Sequence, residues 1–387
     1  MPPALEATRI GTDVIVIGLG GMGSAVACEL ARRGRSVLGL DRFAPPHTSG
    51  SSHGRSRVIR QAYFEHPGYV PLVLRAYERW RTLEHDSGRE LLRVTGGLMI
   101  GNPDSEVVAG ALGSAREHGL AHDVLSPSEV ERRWPAFRLA SEEVAVHEPE
   151  AGVLFPEDCV EAHLTLAAKA GAELRTDEAV TRIAPEPRAG VRVETATTTQ
   201  HAERVVLTAG AWASELLGGR LPLEVERQYV VWFATARDAA DLPVFVSDRP
   251  GDVVAYGIPD LRGDGMKAAF HHGGFVGDPD ELPQEVSPAE IERLHDWLRG
   301  RLPGLEAEPD GASACLYTNT PDGHFAIGPH PDLDDVVVAA GFSGHGFKFA
   351  SVVGEVAADL AEGRTPGYDI GLFDPGRFPA AATTDDT

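Results

Sequence analysis

The chain has 387 residues with 42% apolar content, which is long enough for two packed domains. Its 58 acidic and 35 basic residues give a net charge of −23, which disfavours nucleic acid and anionic membranes as partners. No segment has the pattern of a signal peptide or a membrane span, so a cytoplasmic location is expected.

The first predicted unit is a β-α-β motif near the N-terminus. Residues 13–17 have the apolar pattern of a buried strand, residues 22–33 that of a helix, and residues 36–40 that of a second strand. The unit spans about thirty residues, the length typical of a dinucleotide-binding motif.

A glycine-rich turn joins the first strand to the helix. Gly18 permits the tight turn, Gly20 lets the backbone approach a pyrophosphate, and Gly23 allows the helix to pack closely on the strand. Asp41 follows Gly23 by 18 residues and can accept hydrogen bonds from ribose hydroxyls. This pattern predicts nucleotide binding without separating NAD from FAD.

The middle of the chain shows several further helices and strands. An amphipathic helix is predicted around residues 69–83, and Ser126 to Glu129 has the pattern of a capping box at a helix start. Other predicted helices cover residues 156–170, 288–299 and 351–361, and predicted strands lie near residues 172–175, 179–184, 190–195, 204–208 and 336–340.

A second glycine-rich segment lies near the C-terminus, between a predicted strand and a helix. It runs from Gly341 to Gly346 and can bring backbone N–H groups against another polar part of an extended cofactor. An NAD-dependent dehydrogenase has little need for such a segment, so FAD is favoured. The NAD enzyme remains an alternative, as does a flavin-binding protein without turnover.

Only three of the 35 basic residues are lysines, namely Lys169, Lys267 and Lys348. Lys169 lies near the end of a predicted helix, where a cation suits the helix terminus. Lys267 and Lys348 lie in apolar segments. At such positions a compact ammonium can be required that the planar guanidinium of arginine cannot replace. These two lysines are therefore candidate site residues.

Two long blocks of sequence resemble the monomeric sarcosine oxidase family of flavin-dependent amine oxidases, which includes N-methyltryptophan oxidase. The first is Pro-His-Thr-Ser-Gly-Ser-Ser-His-Gly at 46–54, followed by Arg57 and Arg60. The second combines Cys-Leu-Tyr-Thr-Asn-Thr at 315–320 with Gly-Phe-Ser-Gly-His-Gly-Phe-Lys-Phe at 341–349. The resemblance extends from about residue 12 to residue 375.

The resemblance implies an FAD-dependent oxidase of secondary amino acids that uses O2. Cys315 matches the residue that forms a thioether to the flavin, a reaction that needs a thiolate. The alternative is a small buried core residue, which is the expected state of Cys28 and Cys159. The wide spacing of the three cysteines indicates neither a disulfide framework nor a metal site.

The resemblance also assigns roles to the other residues of the site. Arg60 and Lys348 match the pair that binds the substrate carboxylate, although Arg60 could instead form a structural ion pair. Lys267 matches the lysine whose charge speeds the reaction of the flavin with oxygen. The remaining candidates are Arg57 and His53 beside the flavin and Tyr256, His271 and Tyr317 in the substrate pocket. The cofactor-binding residues also include Arg42, Ser51, Gly344 and, in a second role, Lys348.

The sequence departs from the family pattern at two places. Arg55 and Ser56 replace an acid–threonine pair, and Phe64 stands where glycine is common. An aromatic side chain at this place would narrow or reshape the pocket. An oxidase of a cyclic imino acid, such as proline, pipecolate or a piperideine carboxylate, is therefore the alternative within the same class.

The predicted fold is α/β, with a Rossmann-type FAD-binding domain and a substrate-binding domain built on a mainly antiparallel sheet with helices. The predicted FAD-binding domain is discontinuous and combines residues 1–90, 150–217 and 315–387. Residues 91–149 and 218–314 form the predicted substrate-binding domain. A monomer is expected.

Overall fold

The computed structural model describes residues 11–186, 190–234, 241–305 and 308–379; the ends of the predicted FAD-binding domain, 1–10 and 380–387, lie outside them. The helices in this part of the chain are α1 (Gly21–Arg32), α2 (Val70–Ser87), α3 (Glu106–Glu117), α4 (Pro127–Arg133), α5 (Pro156–Lys169), α6 (Ala213–Leu216), α7 (Pro288–Arg299) and α8 (Ala350–Ala361). The strands are β1 (Thr12–Ile17), β2 (Val37–Leu40), β3 (Arg57–Ile59), β4 (Leu92–Val94), β5 (Gly97–Gly101), β6 (Asp123–Leu125), β7 (Val144–Glu148), β8 (Gly152–Leu154), β9 (Glu173–Arg175), β10 (Val180–Glu186), β11 (Gly190–Thr195), β12 (Thr199–Leu207), β13 (Glu224–Phe233), β14 (Val244–Ser247), β15 (Ala255–Ile258), β16 (Met266–Phe270), β17 (Phe275–Val276), β18 (Pro309–Asn319), β19 (Ala326–His330) and β20 (Leu333–Ala340).

The first sheet is built on the predicted β-α-β unit. Strands β20, β12, β1, β2 and β9 run parallel, in that spatial order. Strand β12 also pairs antiparallel with β11 through residues 199–202, while its residues 205–207 pair with β20. Helix α1 packs against α5 and α8 on one face of this sheet. The predicted Rossmann-type sheet is confirmed.

The helix ends carry local sequence signals, and one of them, the capping box of α4, was predicted. Ser126 and Glu129 form the predicted capping box at the start of α4, and Ser287 and Glu290 form another at α7. Helix α2 ends at Gly88, whose φ of 69° is the left-handed conformation that glycine adopts without a steric penalty. Among the described residues, no helix combines the length and apolarity required to cross a membrane.

The second sheet is mainly antiparallel, as predicted. Its spatial order is β17-β13-β16-β15-β14-β5-β7-β6, and β18 pairs with β13. The pair β14–β5 is parallel, and the other pairs are antiparallel. A small antiparallel sheet, β3-β8-β4, lies apart from both large sheets and presents Arg60 just after β3.

Strand β18 is the link between the two large sheets. It pairs with β13 from residue 309 to residue 319, so it runs across the predicted domain boundary between residues 314 and 315. The next strands along the chain, β19 and β20, belong to the parallel sheet. The division into two domains at the stated boundaries stays a prediction.

Candidate active site

An extended cavity lies between the glycine turn after β1 and the antiparallel sheet. It is lined by most of the predicted site residues, which are Gly18, Gly20, Asp41, Arg42, Ser51, Arg57, Arg60, Tyr256, His271, Cys315, Tyr317, Gly344 and Lys348. Gly23, His53 and Lys267 lie next to this cavity without lining it. Residues from both ends of the chain therefore meet at one site.

The glycine turn needs its glycines for steric reasons. Gly18 has φ 89°, and a Cβ atom there would lie 2.6 Å from the carbonyl oxygen of Thr208. A Cβ atom on Gly23 would lie 1.7 Å from the carbonyl oxygen of Gly18. The start of α1 can therefore approach the turn closely enough for its free N–H groups to face a phosphate.

Asp41, at the end of β2, is tied to the same turn. Its Oδ2 accepts a hydrogen bond from the backbone N–H of Leu19 at 2.6 Å, and its Oδ1 accepts one from Phe43 at 2.8 Å. Burial raises the pKa of Asp41, although both of these hydrogen bonds favour the charged form. The carboxylate lines the cavity and has lone pairs left for a ribose.

Arg42 lies at the outer end of the cavity. Its Nη2 is 2.8 Å from Asp280, and its Cζ lies 5.1 Å from the ring centre of Trp212. The indole Nε1 of Trp212 donates to the same aspartate at 3.1 Å. This cluster joins the loop after β2 to the segment after β17 and borders the nucleotide end of the site.

The antiparallel sheet presents its functional side chains on one face. Cys315 lies opposite Gln228 and Tyr317 opposite Glu226 in the β13–β18 pair, and Lys267 lies opposite Trp232 in the β13–β16 pair. Residues that are directly opposite or two apart share a face. The register of β13 therefore aligns the cysteine, the lysine and the tyrosine toward the cavity side.

Cys315 is buried on this face. Burial raises the pKa of its thiol, and the charges of Arg57 and Lys267 only partly oppose this effect. Cations that favour the thiolate are thus present, but in this structure burial outweighs them and the thiol form is favoured. Cys28 and Cys159 are also buried, on α1 and α5.

Lys267 is held by the turn that precedes β3. Its Nζ donates to the carbonyl oxygens of Gly54 at 2.9 Å and Ser56 at 2.7 Å, and burial lowers its pKa well below the usual value. On the other side of the turn, Oε1 of Glu157 accepts hydrogen bonds from the N–H groups of Gly54 at 2.7 Å and Arg55 at 2.9 Å. The lysine and the glutamate thus fix one backbone turn from two sides.

The neighbouring residues of the first family block are also anchored to the backbone. Arg57 donates to the carbonyl oxygens of Ser51 at 2.8 Å and Ser56 at 2.9 Å. Ser51 Oγ donates to the carbonyl oxygen of Leu316 at 2.5 Å, which joins this block to β18. Burial lowers the pKa of His53 to about 3, so its imidazole is neutral at physiological pH.

Arg60 and Lys348 converge on the ring of Tyr63. The Arg60 Cζ lies 4.3 Å from the ring centre and the Lys348 Nζ 5.1 Å from it. Arg60 is ion-paired with Glu65, whose two oxygens lie 2.6 Å from its Nη2. Burial would raise the pKa of Glu65, but Arg60 and its other cationic neighbours lower it to about 2. In this structure the Glu65 carboxylate is therefore the bound partner of the Arg60 guanidinium.

Lys348 donates to the carbonyl oxygen of His345 at 2.6 Å. Burial, together with the nearby charge of Arg60, lowers its pKa to about 7. The ammonium is thus poised to gain or lose its proton near neutral pH. A bound anion would favour the charged form.

Three aromatic residues form the wall of the cavity near these cations. The imidazole Nδ1 of His271 lies 3.3 Å from the hydroxyl of Tyr317, and burial lowers the pKa of this histidine well below its usual value. Burial raises the pKa of Tyr256 to about 12. The wall is therefore neutral but carries groups that can hydrogen-bond to a substrate.

The described residues fit a bound FAD. The glycine turn and the N-terminus of α1 suit its phosphates, and Asp41 suits its ribose. Thr318 Oγ1 is buried beside the cavity and has no hydrogen-bond partner among the described residues, so a polar ligand atom would satisfy it. Cys315 lines the same cavity from the neighbouring part of β18.

Sequence reasoning missed several carboxylates that organise the site. Glu65 pairs with Arg60, Glu157 holds the turn at Gly54, and Glu148 accepts hydrogen bonds from the backbone N–H groups of residues 61 and 62 at 2.6 and 2.8 Å. Glu65 follows Arg60 by only five residues, so the sequence could have indicated an ion pair between them. The other two come from distant segments that only the fold brings near.

The profile of the FAD dependent oxidoreductase family (DAO) matches residues 13–360. The chain belongs to this family and is a flavin-dependent oxidoreductase. This confirms the flavin class predicted from the sequence and excludes the NAD-dependent dehydrogenase.

Curated relatives narrow the comparison. The chain is 46% identical over 378 residues to a monomeric sarcosine oxidase of Streptomyces avermitilis, covering 95% of this chain and 98% of the relative. It is 36% identical over 371 residues to an N-methyl-L-tryptophan oxidase of Yersinia pestis, covering 95% and 99% of the two chains. The resemblance to the sarcosine oxidase family is therefore confirmed.

A solved structure agrees with this assignment. The open form of NikD, described as an unusual amino acid oxidase essential for nikkomycin biosynthesis, superposes with a TM-score of 0.85 at 28% identity. The match covers 94% of this chain and 97% of the NikD chain. The whole arrangement of the two sheets is therefore shared with a flavin oxidase fold.

Proposed function

We propose that this protein is an FAD-dependent oxidase of secondary amino acids, with N-methyl amino acids such as sarcosine as the substrate class. The observation that carries the proposal is the convergence of Arg60 and Lys348 over Tyr63, beside the neutral wall formed by Tyr256, His271 and Tyr317. Two buried cations select a substrate with a carboxylate over a plain amine. The names of the curated relatives support the same class.

The proposed roles combine the contacts described above with those implied by the resemblance to the sarcosine oxidase family. Arg60 and Lys348 bind the carboxylate, and the substrate replaces Glu65 as the partner of Arg60. The wall of Tyr256, His271 and Tyr317 orients the amine, which His271 can contact as a neutral imidazole. Gly18, Gly20, Gly23, Asp41, Arg42, Ser51 and Gly344 would hold the cofactor, and Arg57 and His53 would contact its flavin part.

Bound FAD supplies the redox chemistry, by accepting two electrons and a proton from the substrate and passing them to O2. For sarcosine, O2 and water are consumed, the N–CH3 bond is cleaved by way of an imine, and glycine, formaldehyde and hydrogen peroxide are formed. When protonated, Lys267 supplies a positive charge where oxygen is reduced, although burial lowers its pKa well below the usual value. The protein acts as a monomer in the cytoplasm under this proposal.

Anaerobic bleaching of the bound flavin by a panel of amino acids tests the proposal. The panel contains sarcosine, other N-methyl amino acids, L-proline and L-pipecolate, with glycine and L-alanine as primary-amine controls. We expect rapid loss of the flavin absorbance with a secondary amine and slow or no loss with the controls. Bleaching by primary amines alone would contradict the proposed substrate class.

Oxidation of a cyclic imino acid is a second candidate, favoured by one observation. The ring of Phe64 lines the cavity, and its centre lies 4.1 Å from the Cζ of Arg60. An apolar surface beside the carboxylate anchor suits a substrate whose α-carbon and nitrogen belong to a ring. Faster bleaching by L-proline or L-pipecolate than by sarcosine would favour this candidate, and Phe64→Ala should then reduce the preference.

Covalent attachment of the flavin through Cys315 is also proposed. After acid precipitation of the mature protein, we expect the yellow colour to stay in the pellet, and Cys315→Ser to release it into the supernatant. Cys28→Ser is the matched control, because Cys28 is buried on α1 and its replacement should leave the colour in the pellet. Release of colour from the unmodified protein would contradict the attachment.

The pKa of Lys348 predicts a pH dependence of carboxylate binding. Because this pKa is lowered to about 7, the ammonium loses its charge as the pH rises through neutrality. We expect the Kd of a carboxylate without an amine, such as cyclopentanecarboxylate, to change little between pH ~5.5 and ~6.5 and to approach a tenfold increase per unit above pH ~7. Lys348→Met should abolish this pH dependence. A Kd that stays constant through neutral pH in the unmodified holoenzyme would contradict the role of Lys348 in carboxylate binding.

A further inference from the structure

Glu226 is a buried carboxylate that none of the roles above uses. It lies on β13 directly opposite Tyr317, on the face of the sheet that carries Cys315, and only 5% of it is exposed. A buried carboxylate is costly unless it is hydrogen-bonded or paired with a charge. Its partners therefore indicate what it is for.

Four donors surround this carboxylate. Oε1 accepts hydrogen bonds from the backbone N–H of Gly274 and from Gln228 Nε2, both at 2.8 Å. Oε2 accepts from Asn319 Nδ2 at 2.7 Å and from His272 Nδ1 at 3.1 Å. Burial would raise the pKa of Glu226, but these donors lower it to about 2, so the group is ionised at every working pH. The bonds connect β13, the turn after β16 and the end of β18.

The turn after β16 is the part of this network that reaches the cavity. His272 has φ 78°, a left-handed conformation that is unfavourable for a residue other than glycine and persists only where its surroundings hold it. Its ring centre lies 4.3 Å from that of His271, which lines the cavity and contacts the Tyr317 hydroxyl. Moving His272 would therefore move His271.

We infer that Glu226 is a positioning residue for the substrate pocket, which fixes the turn at 271–274 through His272 and Gly274 and so holds His271 against Tyr317. Because the carboxylate is ionised, Nδ1 of His272 must carry the proton that it donates. Asn319 brings β18, the strand of Tyr317, into the same network. The inference rests on the proposed function only for the identity of the ligand that this wall contacts.

The test compares Glu226→Gln with Glu224→Gln in the FAD-loaded protein. Glu224 lies two residues earlier on the same strand and is exposed, so its replacement removes the same charge without touching the network. In Glu226→Gln the new side-chain amide places an N–H group against the donors from His272 or Asn319. We expect the Kd of the best bleaching amine to rise about tenfold or more in Glu226→Gln, with the Glu224 variant unchanged.

Two further measurements separate positioning from general stability. The rate of reoxidation by O2 should be unchanged in Glu226→Gln, because the groups that hold Lys267 lie outside the network. His272→Asn should keep the Kd near that of the unmodified protein, since asparagine tolerates φ above zero and can donate to Glu226, whereas His272→Val should raise it. If Glu226→Gln does not fold, the two His272 variants decide between the outcomes.

A substrate-independent measurement makes failure of the inference distinguishable from failure of the proposed function. Crystal structures of the flavin-loaded Glu226→Gln and His272→Val variants should show His271 displaced from Tyr317. An unchanged His271–Tyr317 contact in both, or an unchanged Kd in both, would overturn the positioning role. Absence of bleaching of the unmodified protein by any secondary amine would instead overturn the proposed substrate class.

Discussion

Replacing Arg60 by alanine is expected to raise the KM for a secondary amino acid by about 10- to 100-fold, with a smaller change in kcat. A charge-assisted hydrogen bond is worth about 1.5–3 kcal/mol, and about 1.4 kcal/mol corresponds to a factor of ten. The net contribution of Arg60 to substrate binding is limited because the substrate must first replace Glu65, which lies 2.6 Å from the guanidinium. An effect mainly on KM is the signature of binding lost equally from the ground state and the transition state.

The decisive comparison uses a substrate and the amine that remains when its carboxylate is removed, such as sarcosine and dimethylamine. Arg60→Ala should lower kcat/KM for the amino acid and leave that for the plain amine nearly unchanged. Arg89→Ala is the control, because Arg89 forms a partly exposed ion pair with Glu161 outside the site. An unchanged KM for the amino acid in Arg60→Ala would remove this arginine from the carboxylate site.

Replacing Lys267 by methionine is expected to slow reoxidation of the reduced protein by O2 by about 10²- to 10³-fold, the range typical of losing one preorganised electrostatic group. Methionine fills a similar volume in a position that is only 1% exposed, so the core should remain packed. Anaerobic reduction by the substrate should change far less. Stopped-flow absorbance measures the two half-reactions separately.

Lys169→Met controls for the loss of one lysine, because Lys169 lies at the exposed end of α5. The Lys267 side chain also donates to the carbonyl oxygens of Gly54 and Ser56, so its replacement loosens the turn before β3 as well. If both half-reactions slowed by the same factor, the lysine would act by holding this turn, and its assignment to the oxygen reaction would be wrong.

The predicted elements could be recognised because their signals are local, whereas α3 and the individual strands of the second sheet were not predicted. The β-α-β unit needs only the apolar period, the glycine turn and Asp41, and the predicted helix at 288–299 has a capping box at its own start. Eight of the candidate site residues come from the two blocks of sequence, namely Ser51, His53, Arg57 and Arg60 from the first and Cys315, Tyr317, Gly344 and Lys348 from the second. Most of the residues in these blocks line a single cavity.

Pairings between distant segments were not predictable. The hydrogen bonds of Glu226 depend on the register of β13 with β18. Its partner Asn319, on β18, lies 93 residues further along the chain. The sequence shows that a glutamate lies in a mainly apolar strand, but it does not show which hydrogen-bond donors will surround the carboxylate. The state of Cys315 shows a related limit, because the sequence reveals neither the cations near the thiol nor the burial that opposes them.

The distribution of the three lysines has a practical consequence for chemical modification. Lys267 and Lys348 are buried, at 1% and 6% exposure, while Lys169 is exposed at the end of a helix. Among the lysine side chains, reagents that attack amines should therefore label Lys169 and spare the two at the cavity. A support or dye coupled through a lysine should therefore be attached at a single position, and coupling should leave turnover intact.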